Sequence, residues 1–422
     1  MISYQSSTDS ATGEGSLLYY GWAIVAATSL MIAVAYGVLY SYSVFLKPLG
    51  DHFIWTRGEV SLIYSLALLI RGGASIGAGW LADRFGPMKI SAFCSIVAGI
   101  GLILCAYVEN IVQFFFTYAV ILAVGLSGVF GIGTAVVSRW FIRHRGLALG
   151  IAASGAGVGM LLIVPGTERI IHTFGWSKSF MICGVLVGVL LFFSSLVLRQ
   201  NPPVKSMETA VSSGPVNTIK PQKEPGLAEA MKDSRMLLFA GSLFLFFFGI
   251  QMVIVHLVSY ATDVGIRPLT AATFMSVIGA VSIAGRISTG FGADRIGVFN
   301  TLILTRLFLL IAFVWLLFSS SVESFYLFAV IFGVPYGGEV TQIPMFIIRF
   351  WGTRQLASLV GINVFIITIG GAMGSWAAGE IFDAAQSYRW AFVAGIIASA
   401  GSLLLSIILK RLSLDENPQK IF

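Results

Sequence analysis

The feature that most constrains this chain is a recurrence of twelve long apolar runs, most of them separated by only a few polar residues. They lie at roughly 20–46, 58–80, 89–107, 111–136, 146–165, 176–198, 236–261, 270–291, 300–319, 324–348, 355–379 and 388–410. A helix needs about 20 apolar residues to cross the roughly 30 Å hydrocarbon layer of a bilayer. The runs are rich in Leu, Ile, Ala and Phe and lack the in–out alternation of barrel strands. Composition decides the solvent: 57% of the residues are hydrophobic and only 11% charged, against about 25% charged in ordinary soluble domains. So little charge cannot clothe a water-facing surface. The expected fold class is an all-α membrane protein with twelve transmembrane helices.

The one long polar break, 199–235, carries six basic residues, Pro202 and Pro203, and Ser/Gly/Thr clusters. It reads as a linker, either a plain tether or one with a short surface helix near 226–233. The expected organisation is a six-helix bundle over 1–198, the linker over 199–235, and a second bundle over 236–422. With both termini inside, the cytoplasmic segments collect 17 Lys and Arg against six outside; Arg71, Arg286 and Arg306 fall within spans and complete the 26. That bias predicts an integral multi-pass protein, in the cell (inner) membrane, with cytoplasmic termini. It also explains the net charge of +7 without nucleic acid. Residues 1–18 are polar and lack Lys and Arg, so no cleavable signal peptide is expected. Cys94, Cys105 and Cys183 lie inside apolar runs without metal or redox spacing and read as small core residues. No metal site or cofactor is expected.

Placing Gly79 on Gly290 aligns two segments 211 residues apart, GWLADRFG (79–86) over GFGADRIG (290–297). The next junction repeats as well, RWFIRHRGLALG (139–150) over RFWGTRQLASLVG (349–361), with one residue inserted. Two parallel copies of one six-helix unit are the organisation of a rocker-type transporter.

The loop GWLADRFGPMK (79–89) resembles the hallmark of the major facilitator superfamily, G-x-L-A-D-R-x-G-x-x-K/R after the second helix. Within it, WFIRHRGLALGIAASGAGVG (140–159), YGW (20–22) and HLVSYATDVGI (256–266) resemble the monocarboxylate transporter branch and the bacterial oxalate–formate exchanger group beside it. The resemblance implies two pseudo-symmetric bundles around a central cavity and transport by alternating access.

The charges of the repeated loops, Asp83, Arg84, Asp294 and Arg295, together with Arg143, read as inner-face latches that hold one conformation until substrate shifts the balance. The alternative is that they only set topology. Glycines 150, 155, 157 and 159 read as a close-packing face on which helices slide.

Arg286 is the leading candidate for the site. An arginine deep in a span is expensive and normally faces a cavity or a partner. Ser282 and Ile283 precede it at one-turn spacing, so no local carboxylate neutralises it. Its planar fork suits a ligand carboxylate; the alternative is a structural partner for Glu339 or for backbone carbonyls. The resemblance implies substrate binding, since monocarboxylate transporters bind the anion with a helix-eight arginine. Their animal members also carry an Asp where Ser282 stands and a Lys where Tyr40 stands, so that proton relay does not transfer.

Glu339 is then the acid most central to a span, and flanking Gly337, Gly338, Pro335 and Pro344 suggest a broken or kinked helix. It is the candidate for proton coupling, against a structural pairing or kink role. His256 is a second proton candidate or a helix-end hydrogen bond. Tyr36, Tyr40, Tyr118, Tyr336, Asn363 and Tyr388 can orient a small carboxylate, while Tyr388 and Tyr20 also suit an interfacial belt. Arg71 is a possible second anion contact, and Arg306 reads as snorkelling toward the inner face.

No G-x-S-x-G elbow, HExxH or P-loop occurs, so no enzyme is expected. The expected function is secondary transport of a small monocarboxylate of the lactate or pyruvate kind, as proton symport. The alternative is organic anion exchange of the oxalate–formate type. Expected partners are the carboxylate, a proton and the bilayer; a monomer suffices.

Overall fold

The computed structural model describes residues 9–141, 145–199, 227–352 and 356–416. Arg143 and most of the linker lie outside these residues. The described chain folds into long helices: α1 (Asp9–Phe53), α2 (Arg57–Phe85), α3 (Pro87–Cys105), α4 (Ile111–Trp140), α5 (145–174) and α6 (176–195) in the first half. The second half holds α7 (Ser234–Asp263), α8 (Pro268–Ile296), α9 (Val298–Leu317), α10 (Val322–Trp351), α11 (Leu356–Ala385) and α12 (Arg389–Glu416). Ten described segments are long and apolar enough to cross a membrane. One of them, Gly146–Ser195, is broken at Gly175, where φ is 80°, into α5 and α6; α10 completes twelve. A six-residue helix, Leu227–Lys232, precedes α7.

The repeat is visible in the backbone. Gly86 and Gly297, equivalent by sequence, end α2 and α8 with φ of 97° and 86° and at once begin α3 and α9. A side chain would strain that conformation, so each copy needs glycine there. At its other end α2 starts on a capping box between Thr56 and Glu59.

Helices pack through small residues. A Cβ at Gly101 would meet Leu122 backbone at 2.7 Å, and Gly99 sits against Gly184 and Gly188. Gly155 and Gly159 lie against the α1 carbonyls of Ser29 and Ala33, while Gly150 faces open space. The expected close-packing face is therefore the 155–159 part of that run. Between the halves, α5 runs along α8 with Gly157 against Gly279, a Cβ on the former lying 2.7 Å from the Gly279 carbonyl. Likewise α2 crosses α11 at Gly58 and Gly379.

Two expectations change. α10 continues as one helix through Pro335 and Pro344 and is not broken. Arg306 does not snorkel, since it is fully buried inside the second half.

Candidate functional site

Call the side that carries the linker and the 79–89 and 290–297 loops the linker face, and the other side the far face. At the far face the halves are bound together. Arg57, opening α2, makes two parallel bonds to Asp263 at the end of α7, at 2.6 and 2.8 Å, and Lys47 reaches the same carboxylate at 3.3 Å. Asp383 of α11 accepts from the Arg57 and Gly58 amides at 3.0 and 2.6 Å, which satisfies the exposed N-terminus of α2. Tyr388 accepts from Arg57 at 2.8 Å and meets His256 Nδ1 at 2.9 Å. His256 Nε2 donates to the Ser375 carbonyl at 2.9 Å and neighbours Ser61 Oγ at 3.2 Å. Deeper in the same seam, Ser65 bonds Ser375 and the Ala372 carbonyl.

Below this seal lies an aromatic and cationic cluster drawn from both halves. The Tyr40 hydroxyl of α1 bonds the Tyr336 hydroxyl of α10. Tyr36 packs 5.8 Å from Tyr40, with the Arg71 guanidinium 5.1 Å over its ring. Tyr336 lies within electrostatic reach of Arg286, Arg71 and Tyr36, and Tyr64 within reach of Arg71 and Tyr336. Arg286 donates to the Ala153 carbonyl across the α5–α8 seam at 2.8 Å, while its Nε is buried without a partner. Among the described residues no carboxylate pairs with it. A half-satisfied guanidinium facing phenols on a seam can accept an anion that brings its own oxygens.

The remaining candidates sit elsewhere. Tyr118, in the π-helical stretch Phe115–Leu122, packs against Tyr42 and Phe114 within the first half, its hydroxyl buried and unpartnered. Asn363 donates to Leu359 and Met236 in the linker-side packing of the second half, away from the tyrosines. Tyr388 is 2% exposed, so it belongs to the far-face seal and not to an interfacial belt. Glu339 does not pair with Arg286. Arg306 holds both of its oxygens, one at 2.8 Å, and neither side chain is exposed.

At the linker face, Asp83 pairs with Arg139 at 2.8 Å, tying α2 to α4 within one half. Arg84 lies over Trp80 and Phe85, and Arg295 over Phe291. Asp294 is exposed. Gly77, Gly79 and Gly290 have nothing within 4 Å of a Cβ position, unlike the crowded glycines of the far-face seam. Asp233 caps α7 and binds Trp351 at the end of α10 at 3.0 Å. Burial opposes its charge, yet hydrogen bonds from Arg235 and Trp351 hold its carboxyl below the usual range.

Sequence reasoning missed Arg57, Asp263 and Asp383, because charges flanking spans look like topology signals. It also missed Tyr64, whose placement in an apolar stretch gave no sign of its neighbours.

Comparison with known proteins follows this geometry. Residues 28–375 match the family described as Major Facilitator Superfamily. The chain is 24% identical over 397 residues to monocarboxylate transporter 4 of Rattus norvegicus, covering 92% of this chain and 82% of that one. It is 27% identical over 357 residues to the MFS-type transporter YcxA of Bacillus subtilis (strain 168), covering 82% and 85%. The agnestins efflux protein AgnL12 of Paecilomyces divaricatus is 26% identical over 408 residues, covering 96% and 88%. In fold, the chain is similar to a bacterial homologue of the human lysosomal transporter Spinster, solved inward-facing and unoccupied, with TM-score 0.73, 16% identity and coverage of 93% and 98%. The nucleoside transporter NupG follows at TM-score 0.71 and 14% identity, covering 93% and 98%. A twelve-helix, multi-pass membrane transporter, the chain belongs to the Major Facilitator Superfamily.

Proposed function

We propose that this transporter carries a small organic monocarboxylate of the lactate or pyruvate kind together with a proton, by alternating access between its two faces. The observation that carries the reading is Arg286, a guanidinium on the seam between the halves, with no carboxylate paired to it among the described residues and a tyrosine cluster beside it. Arg286 grips the carboxylate, and Tyr36, Tyr40 and Tyr336 orient it and close the apolar side of the site. The likeness to monocarboxylate transporter 4 supports the same substrate class.

The conformation fits one stage of such a cycle, sealed at the far face through Arg57, Asp263, Asp383 and Tyr388. With the linker face placed in the cytoplasm of the cell membrane, this is the inward-facing stage. Asp83, Arg84, Asp294, Arg295 and Arg143 then act on the opposite closure. A proton moving with the anion makes the step electroneutral. On this reading His256, bonded to Tyr388 and the Ser375 carbonyl at the far-face seal, is one proton site, and protonation of Glu339 would have to release Arg306.

Counterflow in proteoliposomes with radiolabelled lactate, pyruvate, formate and oxalate, with and without a pH gradient, tests the reading. Arg286→Gln removes the charged donors and is expected to lower uptake by about a hundredfold. Uptake indifferent to every carboxylate rejects the substrate class. A second reading, exchange of a dicarboxylate, draws on Arg71, whose charge reaches the same tyrosines.

A further inference from the structure

One buried acid is used by nothing described so far. Glu168 is 5% exposed and lies within the apolar span of α5. Among the described residues it has neither a hydrogen bond nor an ion pair. Its place in the fold follows from the α5–α8 register. Ala153 meets Arg286, Gly157 meets Gly279, and the Leu161 carbonyl meets Ser276. Those contacts run antiparallel, and Glu168 follows Leu161 by seven residues, two turns along the same face. Continuing the register brings Glu168 level with the first turn of α8, which begins at Pro268. The residue before it, Thr167, is turned instead toward α1, where it bonds Ser41 at 3.1 Å. Glu168 therefore sits where the two halves close on each other at the far face.

Glu168 keeps only a small exposed area, and a carboxylate so placed with no cation or donor beside it among the described residues is costlier than the neutral acid. Among the described residues no neutralising charge is paired with it. On α8 the nearest cation by sequence, Arg267, is exposed; on α1, Lys47 is committed to Asp263. Arg169 and His172 on α5 itself and Lys178 on α6 are exposed, and Cys183 on α6 is uncharged.

We propose that Glu168 is a proton-binding site that governs closure of the α5–α8 seam at the far face. When the far face is open, water reaches the carboxylate and it takes up one proton, forming the carboxylic acid. The neutral side chain then lets α5 and α8 come together, and loss of that proton favours reopening. The proton on Glu168 thus acts on the gate itself, at a distance from the Arg286 site. This rests on the alternating-access reading above but on no particular cargo.

The test uses the full chain in lipid nanodiscs, with Cys94, Cys105 and Cys183 replaced by Ser. Spin labels are placed at Tyr107→Cys and Phe318→Cys, which are 64% and 75% exposed at far-face ends of opposite halves. Electron–electron distance distributions are recorded from about pH 5 to about pH 8, bracketing carboxyl titration. The parent is expected to gain the short, closed distance as pH falls, by at most about tenfold per pH unit, the limit for one linked proton. Glu168→Gln is expected to stay closed throughout, and Glu168→Asp to keep a pH response. A parent indifferent to pH, or a Glu168→Gln variant responding as the parent does, overturns the proposal. Lactate counterflow on the same protein separates the readings: no uptake with pH-responsive distances sinks the cargo and leaves the gate standing. Uptake with pH-indifferent distances does the reverse.

Discussion

Arg306 and Glu339 face each other inside the second half with both carboxylate oxygens engaged and neither side chain exposed. Ser242 accepts from Arg306 Nε at 3.3 Å, and the Phe246 ring lies 4.5 Å from the guanidinium. Removing one partner strands the other in an apolar interior. Glu339→Gln is therefore expected to destabilise the protein by about 3–5 kcal/mol, read as a drop in thermal midpoint by tryptophan fluorescence in detergent. The double variant Arg306→Met with Glu339→Leu, which strands neither charge, is expected to recover most of that loss.

The Arg57–Asp263 pair lies at a water-facing edge, and it crosses between the halves. Partial exposure limits it to about 1 kcal/mol. Arg57→Ala is accordingly expected to move the population toward far-face-open by a few-fold, with little change in thermal midpoint. Spin-label distances across the far face read the shift. An unchanged distribution with a lowered midpoint would make Arg57 a stabilising residue of its own half instead.

Much of this arrangement is legible in the chain. Span length and the repeated GWLADRFG loop lead to twelve helices in two copies, and the lack of an acid one turn before Arg286 agrees with the absence of a paired carboxylate there among the described residues. What escapes is pairing between distant segments. Arg306 looks like a snorkelling residue until α10 brings Glu339 against it, and Tyr388 looks interfacial until Arg57 and His256 converge on its hydroxyl. Asn363 has the composition of a site residue, but its helix turns it toward Met236. Glu168 drew no reading from the sequence, because its burial beside the exposed Arg169 depends on how α5 packs.

Glycines separate gating from folding. A Cβ at Gly157 would lie 2.7 Å from the Gly279 carbonyl, on the seam between the two halves. At Gly337 a Cβ would collide with the Ser282 carbonyl, on a contact that lies within the second half. Gly157→Ala is expected to retain the thermal midpoint and shift the spin-label distribution toward far-face-open. Gly337→Ala is expected to lower the midpoint by an amount equivalent to about 1–3 kcal/mol of overpacking. Equal effects of both on stability would show that the α5–α8 seam is a permanent interface.

Arg71 separates the two proposed cargo classes, monocarboxylate and dicarboxylate. Its guanidinium lies over the Tyr36 ring, and its charge reaches Tyr40 and Tyr64, but no carboxylate among the described residues pairs with it. A monocarboxylate held by Arg286 leaves Arg71 as a cation stacked on Tyr36, whose loss removes about 0.5–2 kcal/mol of ring contact and little affinity for cargo. A dicarboxylate would bridge the two arginines and lose a charged partner, worth about tenfold or more in affinity, when either is removed. Arg71→Gln is therefore expected to spare lactate counterflow to within a few-fold, while Arg286→Gln lowers it by about a hundredfold. Equal loss from both variants, together with uptake of oxalate by the parent, would instead assign the transporter to dicarboxylate exchange.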